Sequence, residues 1–364
     1  MKRILHVIGG MDRGGAEMYI MNSLRNLDLK KYQFGIVTFM PSHSGEKYDF
    51  EDELKKMGVK LYHVTDNRFK RPHRFIRDIA KIVRDDKYDT VHSHIDFMSA
   101  LSLAGAKKGG ATKRIAHSHG SNNEKLDSKI VRVISVYLRH RLNKLATHRL
   151  ACGEAAGKFL YGKNQEFTVI HNGIDLQKFR FNSNTRHKMR EKCDFGENDV
   201  ILLNVGRLER VKNHTHLIDI FGDYSRKHKH AHLIIIGDGS LHDELEDKIA
   251  SERLESSVTL LPAQADVERY YMMSDVFVMP SLFEGVPTVG VEAQACGMKC
   301  LFSDSVPEET KLIDSSEFIP LNGDWLSHIV PNDNKKRGEA VKAPKVLEYD
   351  IKNTVKKLEA VYEA

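Results

Sequence analysis

Runs of apolar, strand-like residues alternate with helix-patterned segments along the whole of this 364-residue chain. The strand-like runs lie near Arg3–Ile8, Gly35–Phe39, Thr90–Ser93, Arg114–His117, Arg149–Ala151 and Thr168–His171. They continue near Ile201–Val205, His232–Ile236, Val258–Leu260, Val276–Met279 and Cys300–Phe302. Alternation of this kind builds parallel sheets with helices on both faces. That many strands overfill one comfortable sheet, and the length suits two domains of about 150–200 residues each. Two doubly wound α/β domains are therefore expected, over 1–178 and 179–364. The boundary is placed where His171-Asn172-Gly173-Ile174-Asp175 ends a strand in a turn-forming Asn-Gly pair. Near the C-terminus, Ile351, Val355, Leu358 and Val361 fall at helix spacing. A last helix over about 349–362 is expected to pack back on the first domain.

Composition narrows the class. Hydrophobic residues make up 41% and charged residues 29% of the chain, enough to bury two cores. Cys152, Cys193, Cys296 and Cys300 show no CxxC spacing, which argues against a zinc ribbon or a disulfide framework and for a reducing, cytoplasmic setting. The apolar run after Met1 is too short for a signal segment and reads as a first strand. No run approaches the roughly 18 apolar residues of a membrane span. The charge is uneven: residues 1–150 carry 29 Lys+Arg against 16 Asp+Glu, and the remainder 27 against 34. A basic half joined to an acidic half suggests that the first half meets an anionic surface or substrate.

Several motifs sit where strands end. Gly9-Gly10-Met11-Asp12-Arg13-Gly14-Gly15-Ala16-Glu17 follows the first strand and could bring backbone N–H groups to a phosphate. It matches neither a dinucleotide fingerprint nor a Walker loop, and a plain βα turn explains it equally well. In Asn204-Val205-Gly206-Arg207-Leu208-Glu209-Arg210-Val211-Lys212-Asn213, the cations Arg207 and Lys212 flank a turn and could hold a diphosphate, one as a fork and one as a point charge. Gly237-Asp238-Gly239 ends the next strand, and its small residues would leave room for a base or ribose. Further on, Pro287 interrupts any continuous helix between Glu284 and Glu292. Glu284 is therefore expected on a loop and Glu292 in the first turns of a helix. The N–H groups of Val286, Thr288 and Val289, on either side of Pro287, would face an anion. Either glutamate alone reads as a helix-start charge.

Two more features belong to the basic half. His92-Ser93-His94 and His117-Ser118-His119-Gly120 each close a strand. With Asp96 as the chief carboxylate nearby and no Asp-x-Asp anywhere, a hydrogen-bonding role is favoured over a metal. The segment Lys129–Leu145 has no acidic residue and carries Lys129, Arg132, Arg139, Arg141 and Lys144 between apolar residues at helix spacing. Such a helix can lie on an anionic bilayer, or pack on the core with its charges outward.

Taken in order, these motifs resemble the retaining glycosyltransferases of the GT-B architecture, the family 4 or "group 1" type found in bacterial capsule and exopolysaccharide synthesis. The resemblance spans nearly the whole chain. Its most specific parts are Arg207, Lys212 and the two glutamates with seven residues between them. It implies two Rossmann-like domains facing a cleft, an acceptor on the first and a nucleotide-sugar donor, UDP-sugar by preference, on the second. Arg207 and Lys212 would hold the diphosphate, with help from Gly14, Gly15, Gly206 and the Val286–Val289 backbone. Gly237 and Gly239 would line the donor, Glu292 would bind the ribose and Glu284 the sugar. His119 would be the cleft histidine, although His117 fits that place equally. Glu17, His94 and His117 would face the acceptor, Glu17 reading also as a helix-start charge. No metal, cofactor or nucleic acid is implied. The expected activity is transfer to a lipid-linked or growing glycan at the inner membrane face. A soluble transferase with a small acceptor, or a binding protein without turnover, are the competing readings.

Overall fold

The structure, a computed structural model, describes residues 1–42, 45–120 and 129–364, apart from the side chains at 129 and 130. The chain forms two compact units: Met1–Gly173 with Ile351–Ala364, and Ile174–Asp350. The division precedes the expected residue 178 for a local reason. The Ile174 N–H donates to the Tyr349 carbonyl at 2.9 Å. Asp175 caps the turn Leu176–Phe179 by accepting from the Gln177 and Lys178 N–H groups. Both features belong to the second unit.

The first unit holds seven parallel strands: β1 (Lys2–Val7), β2 (Tyr32–Thr38), β3 (Lys60–His63), β4 (Thr90–Ser93), β5 (Lys113–Ser118), β6 (His148–Ala151) and β7 (Thr168–Val169). Their order is β3-β2-β1-β4-β5-β6-β7. The second unit holds β8 (Val200–Val205), β9 (Ala231–Ile236), β10 (Val258–Leu261), β11 (Val276–Met279), β12 (Lys299–Ser303) and β13 (Ser316–Ile319), in the order β10-β9-β8-β11-β12-β13. Each sheet reverses its order once, between β1 and β4 and between β8 and β11. In open α/β sheets that reversal marks where ligands bind, at the carboxyl ends of the strands.

Two strands were not expected, β3 and β13. Both are edges with one neighbour each. An edge strand packs less and tolerates polar residues, so Lys-Leu-Tyr-His and Ser-Glu-Phe-Ile show no long apolar run.

Alternation along β1 sends Leu5 and Val7 into one core layer, with Val37, Val91 and Ala116. Ile4 goes to the other layer with Ile36 and Ile115, where the helix Gly15–Asn26 packs. The last helix, Ile351–Glu363, closes this second layer with Ile351, Val355, Leu358 and Tyr362. Its end is tied down by two lysines. Lys2 Nζ donates to the Tyr362 carbonyl at 2.7 Å, and Lys113 Nζ to the Val361 and Tyr362 carbonyls at 2.7 and 2.8 Å. Cations there satisfy the last carbonyls and suit the helix dipole. Among the described residues no helix is long and apolar enough to cross a membrane.

In the second unit one buried carboxylate organises the base of the sheet. Asp275 accepts from Arg186 at 2.6 Å, from Arg190 at 2.7 Å and from the Ile201 N–H at 2.8 Å. Removing it would leave two guanidinium groups buried without their counter-charge. Asp275→Ala is expected to cost about 3–5 kcal/mol. The check is a lowered urea midpoint, and an unchanged midpoint would contradict the assignment.

Candidate functional site

The polar residues of the second unit converge where β8, β9 and β11 end. Beyond β8, Gly206 donates to the Ile236 carbonyl at 3.0 Å, which brings the loops after β8 and β9 together. A Cβ on Gly237 would strike the Gly206 carbonyl, and one on Gly239 would strike Leu208. Close backbone approach thus accounts for both glycines, before any question of room for a base. Asn213 takes a left-handed conformation, φ 56°, between the short turn Arg210–Lys212 and the helix His214–Lys227. Its amide donates to the Pro280 carbonyl at 3.0 Å, and the Leu282 N–H donates to Val211 at 2.8 Å. The loops after β8 and β11 are thereby joined.

That junction brings Lys212 and Glu284 together. Lys212 Nζ stands 2.6 Å from Glu284 Oε1, with side-chain exposures of 16% and 11%. The Ser281 hydroxyl donates to the same oxygen at 2.8 Å. Arg207, by contrast, is exposed and forms no ion pair among the described residues. Glu292 stands in a different setting. Glu292 lies on the helix Thr288–Ala295, which starts after Pro287. It accepts from the Tyr271 hydroxyl at 2.9 Å, and burial pushes its carboxyl up to about 7. The first-turn N–H groups of Thr288 and Val289 precede any intrahelical acceptor and remain available to an anion.

In the first unit, Gly14 caps the helix Gly15–Asn26, and a Cβ there would strike the Glu17 carboxylate. Gly15 has open space around its Cα. Glu17 sits in the first helical turn. The expected histidines prove to be part of a larger set. His6 on β1 joins His92, His94, His117 and His119 on the face covered by the helix Gly15–Asn26. His6 Nδ1 lies 2.9 Å from His94 Nε2, and His94 Nδ1 lies 2.8 Å from His119 Nε2. A second chain runs from the Tyr362 hydroxyl to His92 Nδ1 at 2.9 Å, then from His92 Nε2 to His117 Nδ1 at 3.1 Å. The His117 and His119 rings stack at 4.2 Å. Burial holds His6 and His119 down to about 3, and the other three well below the usual range. All five are neutral at pH 7. Desolvation pushes the Asp96 carboxyl up to about 6. His117 Nε2 is buried without a hydrogen-bond partner among the described residues, whereas Tyr19 is paired with Ser23, His119 with Asn172 and Asp96 with the His119 backbone N–H.

The triads His6/His92/His94 and His94/His117/His119 each bring three ring nitrogens within 4.8 Å, a spacing a metal ion could use. Several of those nitrogens are already engaged with one another. Sequence reading missed His6, Tyr19, Tyr271, Ser281 and Tyr362. His6 carried a signal, since period-two alternation on β1 puts it on the same face as Ile4. Tyr362 carried none, because only the return of the last helix brings it to His92.

The helix Lys129–Leu145 turns Leu138 and Leu142 inward and leaves Val133, Ile134, Val136 and Tyr137 exposed, at 70%, 46%, 57% and 60%. Arg132, Arg141 and Lys144 are also exposed. Arg139 departs from expectation. Its guanidinium donates inward to the Phe159 and Leu160 carbonyls at 2.8 and 3.2 Å, capping the helix Glu154–Tyr161.

Comparison with known proteins identifies the family of the chain. The family model "Glycosyltransferase Family 4" matches residues 13–178, and "Glycosyl transferases group 1" matches residues 185–325. The chain is similar to EpsF of Bacillus subtilis, a protein named as a glycosyltransferase, with 31% identity over 99% of this chain and 96% of that one. It is similar to the capsular polysaccharide biosynthesis glycosyltransferase CapH of Staphylococcus aureus, with 26% identity over 100% and 99% of the two chains. It also matches the UDP-Gal:alpha-D-GlcNAc-diphosphoundecaprenol alpha-1,3-galactosyltransferase of Escherichia coli, with 30% identity over 62% of this chain and 60% of that one. Among solved structures, Anabaena HepE in complex with UDP-glucose covers 100% of both chains at a TM-score of 0.78 and 16% identity, a likeness of fold.

The buried histidines make stability depend on pH. Unfolded, each binds a proton near pH 6.5; folded, His6 and His119 refuse it until about pH 3, and His92, His94 and His117 are held well below their ordinary value by burial. Stability is therefore full above pH 6.5 and falls as the pH drops below it, by up to about 1.4 kcal/mol per pH unit for each histidine. Asp96 acts in the opposite sense over a narrower range, because its folded value is raised. Urea midpoints at pH 7.5 and 5.5 are expected to differ strongly, and His6→Asn to reduce the slope. Equal midpoints would show that the cluster is protonated or open.

Proposed function

We propose that this chain, which belongs to the group 1 and family 4 glycosyltransferases, moves a sugar from a UDP-sugar to a lipid-linked acceptor in surface-polysaccharide assembly. The observation that carries this reading is the cationic end of the second sheet. Lys212 is fixed there by Glu284, Arg207 stands free beside it in sequence, and the N–H groups opening the Thr288–Ala295 helix supply further donors. The sugar–phosphate bond breaks as negative charge grows on the leaving diphosphate. Fixed cations and N–H donors where that charge develops are the main catalytic lever.

In this reading Lys212 and Arg207 hold the diphosphate together with Gly206, Val286, Thr288 and Val289. Glu284 orients Lys212 and contacts the sugar. Glu292, ionised on donor binding, accepts from the ribose diol. The acceptor hydroxyl loses its proton to the departing phosphate oxygen, so the anomeric configuration is retained without a protein nucleophile or a metal ion. Gly14 and Gly15 give backbone donors, and Glu17, His94, His117 and His119 serve the acceptor side. The donor and the diphosphoundecaprenol-linked acceptor named for the Escherichia coli relative support the choice of UDP-sugar and lipid-linked glycan. CapH supports the surface-polysaccharide setting.

The exposed Val133, Ile134, Val136 and Tyr137 beside Arg132, Arg141 and Lys144 favour a lipid-linked over a small soluble acceptor. An apolar strip flanked by cations suits the surface of an anionic bilayer. On this reading the chain works at the cytoplasmic membrane face.

A panel of nucleotide sugars scored by thermal shift and by product formation tests the reaction. A UDP-sugar is expected to raise the melting temperature and support turnover. Lys212→Ala should lower kcat by roughly 10²–10³-fold, as for removal of one charge-stabilising donor. No response to any nucleotide sugar, or full activity in Lys212→Ala, would defeat the proposal.

Flotation with phosphatidylglycerol vesicles tests the membrane face separately. The chain is expected to float with anionic vesicles and not with phosphatidylcholine alone. Val133→Asp with Tyr137→Asp should abolish flotation while leaving the melting temperature within about 2 °C, because both side chains are exposed. Flotation that survives this pair would place the contact elsewhere.

A further inference from the structure

The last helix brings the Tyr362 hydroxyl to a histidine pair at the functional end of the first sheet. We propose that Tyr362 is a positioning residue whose hydroxyl, acting through His92, fixes His117 in the tautomer that carries its proton on Nε2. That N–H donor is thereby held beside His119, the partly accessible ring of the cluster, near the carboxyl end of β5.

The direction follows from matching donors to acceptors. Tyr362 Oη is 2.9 Å from His92 Nδ1, and His92 Nε2 is 3.1 Å from His117 Nδ1. Both imidazoles are buried and neutral, so each has one N–H and one lone pair. If Tyr362 donates, His92 carries its proton on Nε2 and passes it as a donor to His117 Nδ1. His117 then bears its own proton on Nε2. In the opposite sense His117 Nδ1 donates to His92 and His92 Nδ1 to Tyr362. The Tyr362 hydroxyl hydrogen then has no acceptor among the described residues, and His117 Nε2 is a lone pair without a donor. The first arrangement leaves one buried group unmatched and the second leaves two. Each unmatched buried polar group is costly, so the first is favoured.

The group left over is the His117 Nε2–H, which has no partner among the described residues. The Tyr19 and His119 rings pack against it, 4.7 and 4.2 Å from the His117 ring, with Tyr19 paired to Ser23 and His119 to Asn172. The one donor left over among them suits an oxygen-bearing group, a hydroxyl or phosphoryl, and not an apolar one. Part of His119 is accessible, which gives such a group an approach.

The consequence for sugar transfer rests on the function proposed above; the tautomer itself does not. The full chain with ¹⁵N-labelled histidine, observed by two-bond proton–nitrogen correlation, distinguishes a protonated ring nitrogen from a bare one. The His117 signals are assigned by their loss in His117→Gln. The expected result is a proton on His117 Nε2 in the unaltered chain. Tyr362→Phe keeps the ring and removes the donor. It should move the His117 proton toward Nδ1 and lower kcat about tenfold, with the donor KM within about twofold. Lys113→Met loosens the same helix end without touching the hydroxyl. It should lower the melting temperature and leave the tautomer and kcat as they were. A proton on Nδ1 in the unaltered chain overturns the proposal, and that spectrum decides even where Tyr362→Phe fails to fold. A shifted tautomer with unchanged kcat overturns the role in transfer. Inactivity toward every nucleotide sugar instead defeats the proposed reaction, since the spectrum needs no substrate.

Discussion

A parallel sheet whose strand order reverses cannot cover its own carboxyl ends. The crossovers on either side of the reversal lead away from each other, and the residues between them are left to loops. In this chain the constraint applies twice, between β1 and β4 and between β8 and β11. Nearly every polar residue with a chemical use is gathered at one of those two places. The rest of each unit is an apolar scaffold that fixes where the strands end.

The two units satisfy their buried polar groups by opposite means. The second uses full charges: Asp275 between Arg186 and Arg190 at one end of the sheet, and Lys212 with Glu284 at the other. A charge taken from water needs a counter-charge or several hydrogen bonds, and these have both. The first unit uses neutral imidazoles linked in two chains. Neutral rings escape the charge penalty, but each has only one proton to give. A chain of them therefore transmits a choice of donor and acceptor from one end to the other, which a pair of full charges does not do.

Strand–helix alternation made the fold legible, because a strand buried on both faces must be apolar throughout. It failed at β3 and β13, where one side of the strand is solvent. At the site, the sequence showed which residue types stand at strand ends but not which of them meet. Lys212 and Glu284 are 72 positions apart and are joined by a left-handed Asn213 and a backbone bond from Leu282 to Val211. Nothing local announces that pairing. Gly237 and Gly239 illustrate the converse: a glycine pattern shared with ligand sites is here demanded first by loop packing. Arg139 counts as one more cation in a basic helix until Phe159 and Leu160 claim its guanidinium.

The return of the last helix has a consequence for the order of assembly. Residues 351–364 belong to the first unit, although the whole second unit separates them from residue 173 in sequence. They supply Ile351, Leu358 and Tyr362 to its core and carbonyl acceptors to Lys2 and Lys113. Without residues 351–364 that layer keeps only the helix Gly15–Asn26, and His92 lacks its hydroxyl partner. The first unit therefore cannot complete its core as an independent N-terminal domain. Its closure follows synthesis of the second unit, which separates its two parts in sequence.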